Sequence, residues 1–228
     1  MPENLNIVII GLGGIGSVLS ERLSRFLNYN RELKTNILLV DGDSYEPKNQ
    51  DRQDFLQFGN KAEIKADELA MKFGEIEFDA VGEYINDGNI SETIRDGDII
   101  FICVDNHKSR MIINNYCKTL TNVILISGGN ELTDGNAQLY VREGGVDKTP
   151  DLCTYHPEIA NPDDKLPEEM SCEELSQSEP QLYFTNLGVA TLMCWMFYNA
   201  FVNKVYDRSE AYFDILTMSA DSKIRVTK

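Results

Sequence analysis

Four short runs of nearly continuous apolar residues punctuate the first two thirds of the chain: 5–10 (LNIVII), 37–40 (ILLV), 99–103 (IIFIC) and 123–126 (VILI). Runs of this length, rich in β-branched residues and without alternation, predict strands buried on both faces, the habit of parallel sheets covered by helices on each side. Between them the apolar spacing lengthens to three and four. Residues 17–28, 61–73 and 107–120 each gather apolar side chains on one helical face, with Val18, Leu19, Leu23 and Phe26 doing so in the first. This alternation predicts an α/β fold, a Rossmann-like, doubly wound, mostly parallel sheet with right-handed crossovers.

The pattern changes after Gly128-Gly129. Residues 137–142 read as one further strand, antiparallel to the rest. From 143 to 180 the chain carries five of its seven prolines and eleven acidic residues against two lysines. That composition predicts a long acidic loop, which a compact domain keeps for a function or leaves disordered. An apolar helix follows over about 182–204, containing Trp195, Phe197, Tyr198 and Phe201, and reads first as a core helix. Strands at 212–216 and 223–226 complete an antiparallel C-terminal extension.

Composition narrows the partners. A chain of 228 residues with 42% hydrophobic and 25% charged residues can bury a core of its own. Lys and Arg number 21 against 37 Asp and Glu, a formal charge of −16, which argues against nucleic acid and anionic membranes as partners. Five cysteines at irregular spacing fit a reducing compartment rather than a disulfide framework. Met1-Pro2-Glu3-Asn4 has no signal-peptide character, and the greasiest stretch, 187–202, is 16 residues, short of the ~20 that span a bilayer. A cytoplasmic protein is expected.

The chemistry concentrates where strands are expected to end. Gly11, Gly13, Gly14 and Gly16 lie between the first strand and the first helix, where glycines allow a tight turn and bring backbone N–H groups to a phosphate at a helix N-terminus. The turn alone does not name the nucleotide. Asp41 and Asp43 end the second strand, and a carboxylate there can accept ribose hydroxyls, although by itself Asp41 is equally a solvated turn residue. The separation from Gly11 to Asp41 is 30 residues, longer than the ~20 of the dinucleotide fingerprint. Beyond it come Asn49, Arg52 and Gln53, then Lys61 opening a helix. Two cations and amides near a phosphate turn suit a triphosphate whose charge must be offset during reaction. Asp105 and Asn106 follow the 99–103 strand, and a carboxylate there suits Mg²⁺ bridging phosphate oxygens.

With these residues in view the chain resembles the E1-like adenylating family, the ThiF/MoeB group and ubiquitin-activating adenylation domains. The matching stretches are GLGGIGS at 11–17, LLVDGD at 38–43, N-x-x-R-Q at 49–53, GNKAE at 59–63 and CVDNHKSR at 103–110. The resemblance implies one adenylation domain over 1–228: a nucleotide-binding core at 1–145, the acidic loop at 146–180, and a C-terminal helix and strands at 181–228. It implies ATP and Mg²⁺ as cofactors and adenylation of the C-terminal carboxylate of a small ubiquitin-like or sulfur-carrier protein ending in Gly-Gly, with release of pyrophosphate. By position, Asp41 would hold the ribose, Asn49 and Arg52 the phosphates, Lys61 the reacting phosphate, and Asp105 the metal. Asp43, Gln53 and Asn106 would complete the nucleotide site, and a homodimer is expected.

Some features depart from that family's pattern. Many members carry an N-terminal helix whose arginine reaches the partner's ATP, whereas this chain starts almost at its first strand. Many carry two Cys-x-x-Cys pairs for zinc. Here the first reads Cys153-Thr154-Tyr155-His156 and the second is missing, so no structural zinc is expected. Lys61 also lies one residue closer to Gly59 than usual. The acidic loop, and Gln181 and Asn186 of the apolar helix, resemble ThiF-type proteins of plasmid and phage operons. Cys103, Cys117 and Cys194 read as buried structural thiols. Cys172 stands where the family often keeps a reactive cysteine, although Glu168, Glu173 and Glu174 around it would raise its pKa. Alternatives are a nucleotide-binding scaffold or non-catalytic half of a heterodimer, an NAD-dependent oxidoreductase, and an adenylating relative acting on another carboxylate such as a peptide or modified tRNA, of which the acid-rich surface makes tRNA the poorer.

Overall fold

The computed structural model describes residues 4–29, 34–50, 53, 55–169 and 181–227. Its first half runs β1 (Asn4–Ile10), α1 (Gly14–Asn28), β2 (Lys34–Val40), β3 (Ser44–Tyr45), β4 (Gly59–Asn60), α2 (Lys61–Lys72), β5 (Ile76–Val81), α3 (Ile90–Thr93), β6 (Ile99–Ile102) and α4 (His107–Cys117). The second half runs β7 (Val123–Asn130), β8 (Asp134–Glu143), β9 (Val146–Asp147), α5 (Pro157–Ala160), α6 (Tyr183–Phe197), β10 (Arg208–Asp214) and β11 (Ser219–Ile224). Nine strands form one sheet in the order β11-β10-β8-β7-β6-β1-β2-β5, with β9 on β8. Pairing is parallel from β5 to β7 and antiparallel from β7 to β11.

Successive residues of the central strands face opposite layers, which is why those strands read as continuous apolar runs. Ile7, Ile9, Leu39 and Phe101 pack with Leu19 and Leu23 of α1, Leu69 of α2, and Met193 and Phe197 of α6. Val8, Ile10, Val40 and Ile102 pack on the other face with Ile94, Ile113 of α4, Leu152 and Ile159. The expected Rossmann-like fold with an antiparallel C-terminal extension is therefore present. Among the described residues no helix is long and apolar enough to cross a membrane.

The differences from expectation have physical reasons. β5 was not anticipated. It is the outermost parallel strand, so Glu77 and Asp79 stay exposed and interrupt the apolar run. Of the 143–180 segment, residues 170–180 lie outside the described residues, and the part up to 169 is not one open loop: Leu152 and Ile159 are buried, and short helical turns form at Leu152–Thr154, Pro157–Ala160 and Pro167–Glu169. The apolar helix is α-helical only to Phe197, continues as a π-helical segment over Tyr198–Asn203, and stops at Lys204 with φ of +55°. The last two strands begin four residues earlier than expected in each case, at Arg208 and Ser219.

Candidate functional site at the carboxyl edge of the sheet

β1, β2 and β6 are parallel and end together. Gly11 leaves β1 with φ of +87° and donates its N–H to the Val40 carbonyl at 2.9 Å. A Cβ on it would lie 2.8 Å from the Cys103 carbonyl carbon, so the turn is pressed onto the end of β6. A Cβ on Gly16 would lie 1.9 Å from the Gly11 carbonyl oxygen, which is why the first turn of α1 can close against the bend. Gly13 caps α1 without a side chain, so no side-chain oxygen caps the first N–H groups of that helix.

Asp41 stitches this bend to the end of β2. Its carboxylate accepts the Leu12 N–H on one oxygen and the Asp43 N–H at 2.8 Å on the other. It is 7% exposed. Burial pushes its carboxyl up, the Lys61 ammonium works against that, and the Asp43 charge adds to it. Asp43 accepts Lys61 Nζ at 2.9 Å on Oδ2 and the Tyr84 hydroxyl on Oδ1. Lys61, only 5% exposed, is placed by Asn60, the N-cap of α2. The Asn60 amide oxygen accepts the Ala62 and Glu63 N–H groups at 2.9 and 3.1 Å, while its nitrogen donates to the Asp41 and Asp43 carbonyls at 2.9 and 3.3 Å. The start of α2 is thereby tied to the end of β2, which fixes the backbone from which Lys61 reaches Asp43.

Other expected site residues fall as follows. Gln53 is buried, with Nε2 3.9 Å from where a Gly13 Cβ would be and an Oε1 that has no partner among the described residues. Asn49 is buried, and its side-chain oxygen accepts the Glu46 N–H at 3.1 Å, closing the turn at Pro47–Asn49. Asn106 caps α4, its oxygen accepting the Ser109 N–H at 2.7 Å. Asp105 stands exposed just before that cap. Its charge and those of Asp41 and Asp43 all act on the Tyr84 hydroxyl, so the three carboxylates share one neighbourhood. Arg52 and Cys172 lie outside the described residues.

The structure adds residues that sequence reasoning had not assigned. Tyr84 covers Gly42 with its ring and bonds Asp43. Asn60 carried a readable signal, a capping residue three positions before Glu63. Arg110 is buried, donating to Ser127 Oγ at 2.6 Å and to the Val104 and Gly128 carbonyls at 2.6 and 2.7 Å, and so joins the ends of β6 and β7. Asp164 accepts the His107 and Lys108 N–H groups at the start of α4, and Lys108 pairs with Glu169, so part of the acidic segment folds back to this edge. Asn186 of α6 sits where a Gly14 side chain would be. Burial pushes the thiols of Cys117, Cys153 and Cys194 up to about 12, 11 and 11 respectively, which keeps them protonated and poorly nucleophilic. His156 bonds Glu158 and Glu210, both at 2.9 Å.

A mostly parallel sheet with a glycine bend and a lysine–carboxylate cluster at its carboxyl edge defines a Rossmann-like α/β protein, a class in which that edge is where ligands are placed. The model of the ThiF family matches residues 3–218, and the chain belongs to that family. Over 157 residues it is 29% identical to ubiquitin-like modifier-activating enzyme 5 of Oryza sativa subsp. japonica, covering 61% of this chain and 36% of that protein. The protein of the same name from Dictyostelium discoideum is 30% identical over 155 residues, covering 61% of this chain and 39% of that one. The chain thus spans well under half the length of these curated relatives. Among solved structures, E. coli MccB with ATP matches at a TM-score of 0.74 and 21% identity, over 98% of this chain and 64% of that one. E. coli MccB with AMPCPP and MccA matches at 0.72 and 21%, over 97% and 64%. At these identities the likeness is one of fold.

Proposed function

We propose that the chain binds ATP with Mg²⁺ over the glycine bend and adenylates the C-terminal carboxylate of a small protein. The substrate class is a ubiquitin-like or sulfur-carrier protein ending in Gly-Gly. The observation that carries this reading is the convergence of Lys61, Asp41, Asp43 and Asp105 at the edge where Gly11–Gly16 leaves helix N–H groups uncapped. A hydride-transfer protein needs one acidic residue at this edge and no buried ammonium beside it. The residues fit the nucleotide: a buried cation for phosphate, a helix start that no side chain caps, and a carboxylate at the end of β2 for hydroxyls. They fit the metal too. Asp105 is an exposed carboxylate just past the end of β6. Mg²⁺ held by one carboxylate, phosphate oxygens and water matches that donor set.

In the reaction a carboxylate oxygen attacks the α-phosphorus as the bond to pyrophosphate breaks, and no protein nucleophile is needed. Lys61 would offset charge on the phosphates, Asp41 would orient the ribose, and Asp105 would hold the metal, which supplies Lewis-acid charge stabilisation. Arg52, by its place in the sequence, would add a second cation. A partner other than a ubiquitin-like protein is the second reading, favoured by the fold likeness to MccB bound to MccA. We assign the expected homodimer contact to the groove of roughly 360 Å³ between α1 and α6, where Phe26 of α1, Trp195 of the all-round apolar α6 and Tyr198 just beyond it stand exposed. Sedimentation showing a monomer at every concentration would remove that contact.

The deciding experiment is pyrophosphate exchange into ATP, with a Gly-Gly carrier or a peptide acid as the activating partner. Exchange that depends on the partner and disappears in Asp105→Ala is expected. Tight NAD binding without ATP binding, or ATP binding with no exchange for any carboxylate, would overturn the assignment.

A further inference from the structure

Three residues beyond β5, Tyr84 lies against the stretch that follows β2. Its backbone is held there: Asn89 donates its side-chain N–H to the Tyr84 carbonyl at 2.8 Å, and the neighbouring Ile85 is buried in the core beneath the sheet. The ring covers the Gly42 backbone so closely that a Cβ on Gly42 would be 2.7 Å from ring carbons. The hydroxyl donates to Asp43 Oδ1, while Asp43 Oδ2 accepts Lys61 Nζ at 2.9 Å. One carboxylate is thus shared by a charged and a neutral donor.

That sharing matters because Lys61 has two duties. In the free protein its ammonium contacts Asp43 and acts on the buried Asp41 through its field. To neutralise a phosphate it must loosen its hold on Asp43, and the free energy of doing so depends on what still holds that carboxylate. A carboxylate left poorly hydrogen-bonded would pull the ammonium back. We propose that Tyr84 is a positioning residue of the nucleotide site: its hydroxyl holds Asp43 in place as Lys61 shifts from that carboxylate to the phosphates of the bound nucleotide. This rests on the reading of the edge as an ATP site. Phenylalanine at position 84 keeps the ring on Gly42 but removes one of the donors to Asp43, so that carboxylate leans harder on its other partners, Lys61 among them.

The test uses the full chain and Mg·ATP, measured by titration calorimetry on wild type, Tyr84→Phe, Asp43→Asn and the double variant, with a thermal midpoint for each. Tyr84→Phe is expected to weaken Mg·ATP about tenfold, the order of one hydrogen bond to a charged group, while the variant still unfolds in one cooperative transition. In the Asp43→Asn background the same substitution is expected to lose nothing further, because the charge it manages is gone. Gly42→Ala, which drives a methyl into the ring, is expected to reproduce the loss without touching any donor. Equal affinities of wild type and Tyr84→Phe, or a loss that persists undiminished beside Asp43→Asn, would overturn the inference while leaving the ATP site standing. A wild type that does not bind Mg·ATP would overturn both.

Discussion

Glu210 on β10 is the hub of a clasp joining the start of the acidic segment to the C-terminal hairpin, and neutralising it makes a sharp prediction. The residue is 4% exposed, and its carboxylate accepts from His156 Nε2 at 2.9 Å, the Tyr212 hydroxyl at 2.6 Å and Arg225 Nε at 2.9 Å. Burial acts to raise its pKa, but the donors from His156, Tyr212 and Arg225 overcome that and hold it down at about 2 against an ordinary 4.5. At roughly 1.4 kcal/mol per pKa unit this is about 3 kcal/mol, and screening at the exposed rim around Glu158 and Arg225 reduces it to about 2 kcal/mol. A depressed carboxylate stabilises the fold above its unfolded pKa, so the contribution is complete above about pH 4.5 and is lost as pH falls toward 2. His156 runs the other way. The hydrogen bond His156 donates to Glu210 raises its pKa most, against burial, and the one to Glu158 adds to it, so its contribution is complete below about pH 6.5 and disappears as pH rises through the raised value. Glu210→Gln should therefore lower the midpoint of thermal unfolding by about 4–8 °C near pH 5.5. The gap to wild type should shrink at both more acidic and more alkaline pH. Thermal unfolding scans from pH 2.5 to 9 measure it, and a gap that does not vary with pH would refute the clasp.

Other perturbations read other parts of the molecule. Lys61→Met should weaken Mg·ATP by about ten- to a hundredfold in calorimetry, the range for a charge-assisted contact, and no loss would exclude the ammonium from the phosphate site. Asp105→Ala, at an exposed position, should leave the unfolding midpoint unchanged while abolishing pyrophosphate exchange; partial exchange at wild-type Mg²⁺ dependence would take the metal away from it. Asp164→Asn removes a carboxylate from the first N–H groups of α4, so about 1 kcal/mol of stability should be lost and the 161–169 stretch should become the first site of limited proteolysis. Cleavage elsewhere at wild-type rate would show that this contact does not hold the segment down.

How much of this the sequence disclosed depended on burial and on range. β1, β2, β6 and β7 were legible because Ile7, Val8, Ile9 and Ile10 are buried on alternate faces, leaving no polar break in the run. β5 was not, because its edge position exposes Glu77 and Asp79. The glycine bend, Asp41, Asp43 and Lys61 were legible as types at spacings, but what each one holds was not. Asp43 meets Tyr84 across 41 residues of chain, and Asp164 reaches α4 across 56 and 57. Such contacts leave no local pattern. The acidic segment read as loop because prolines and carboxylates dominate it, yet two apolar residues, Leu152 and Ile159, suffice to pin its first part against the sheet.

Under the proposed function, the charge balance at the edge sets how a nucleotide would enter. Asp41, Asp43 and Asp105 act on one neighbourhood, and Lys61 is the ammonium that faces two of them. Among the described side chains the edge is therefore net negative, on a chain already at −16. Free ATP, with about four negative charges, would be repelled on approach, whereas the magnesium complex arrives half neutralised and brings a cation for Asp105. Two consequences separate this from a simple phosphate cradle. Chelating Mg²⁺ should weaken ATP binding more than tenfold, and the residual affinity for free ATP should rise with salt, because screening relieves repulsion rather than attraction. A basic cradle would give the opposite salt slope, and observing that slope would mean that the glycine bend and its cations, not the carboxylates, dominate the field the nucleotide meets.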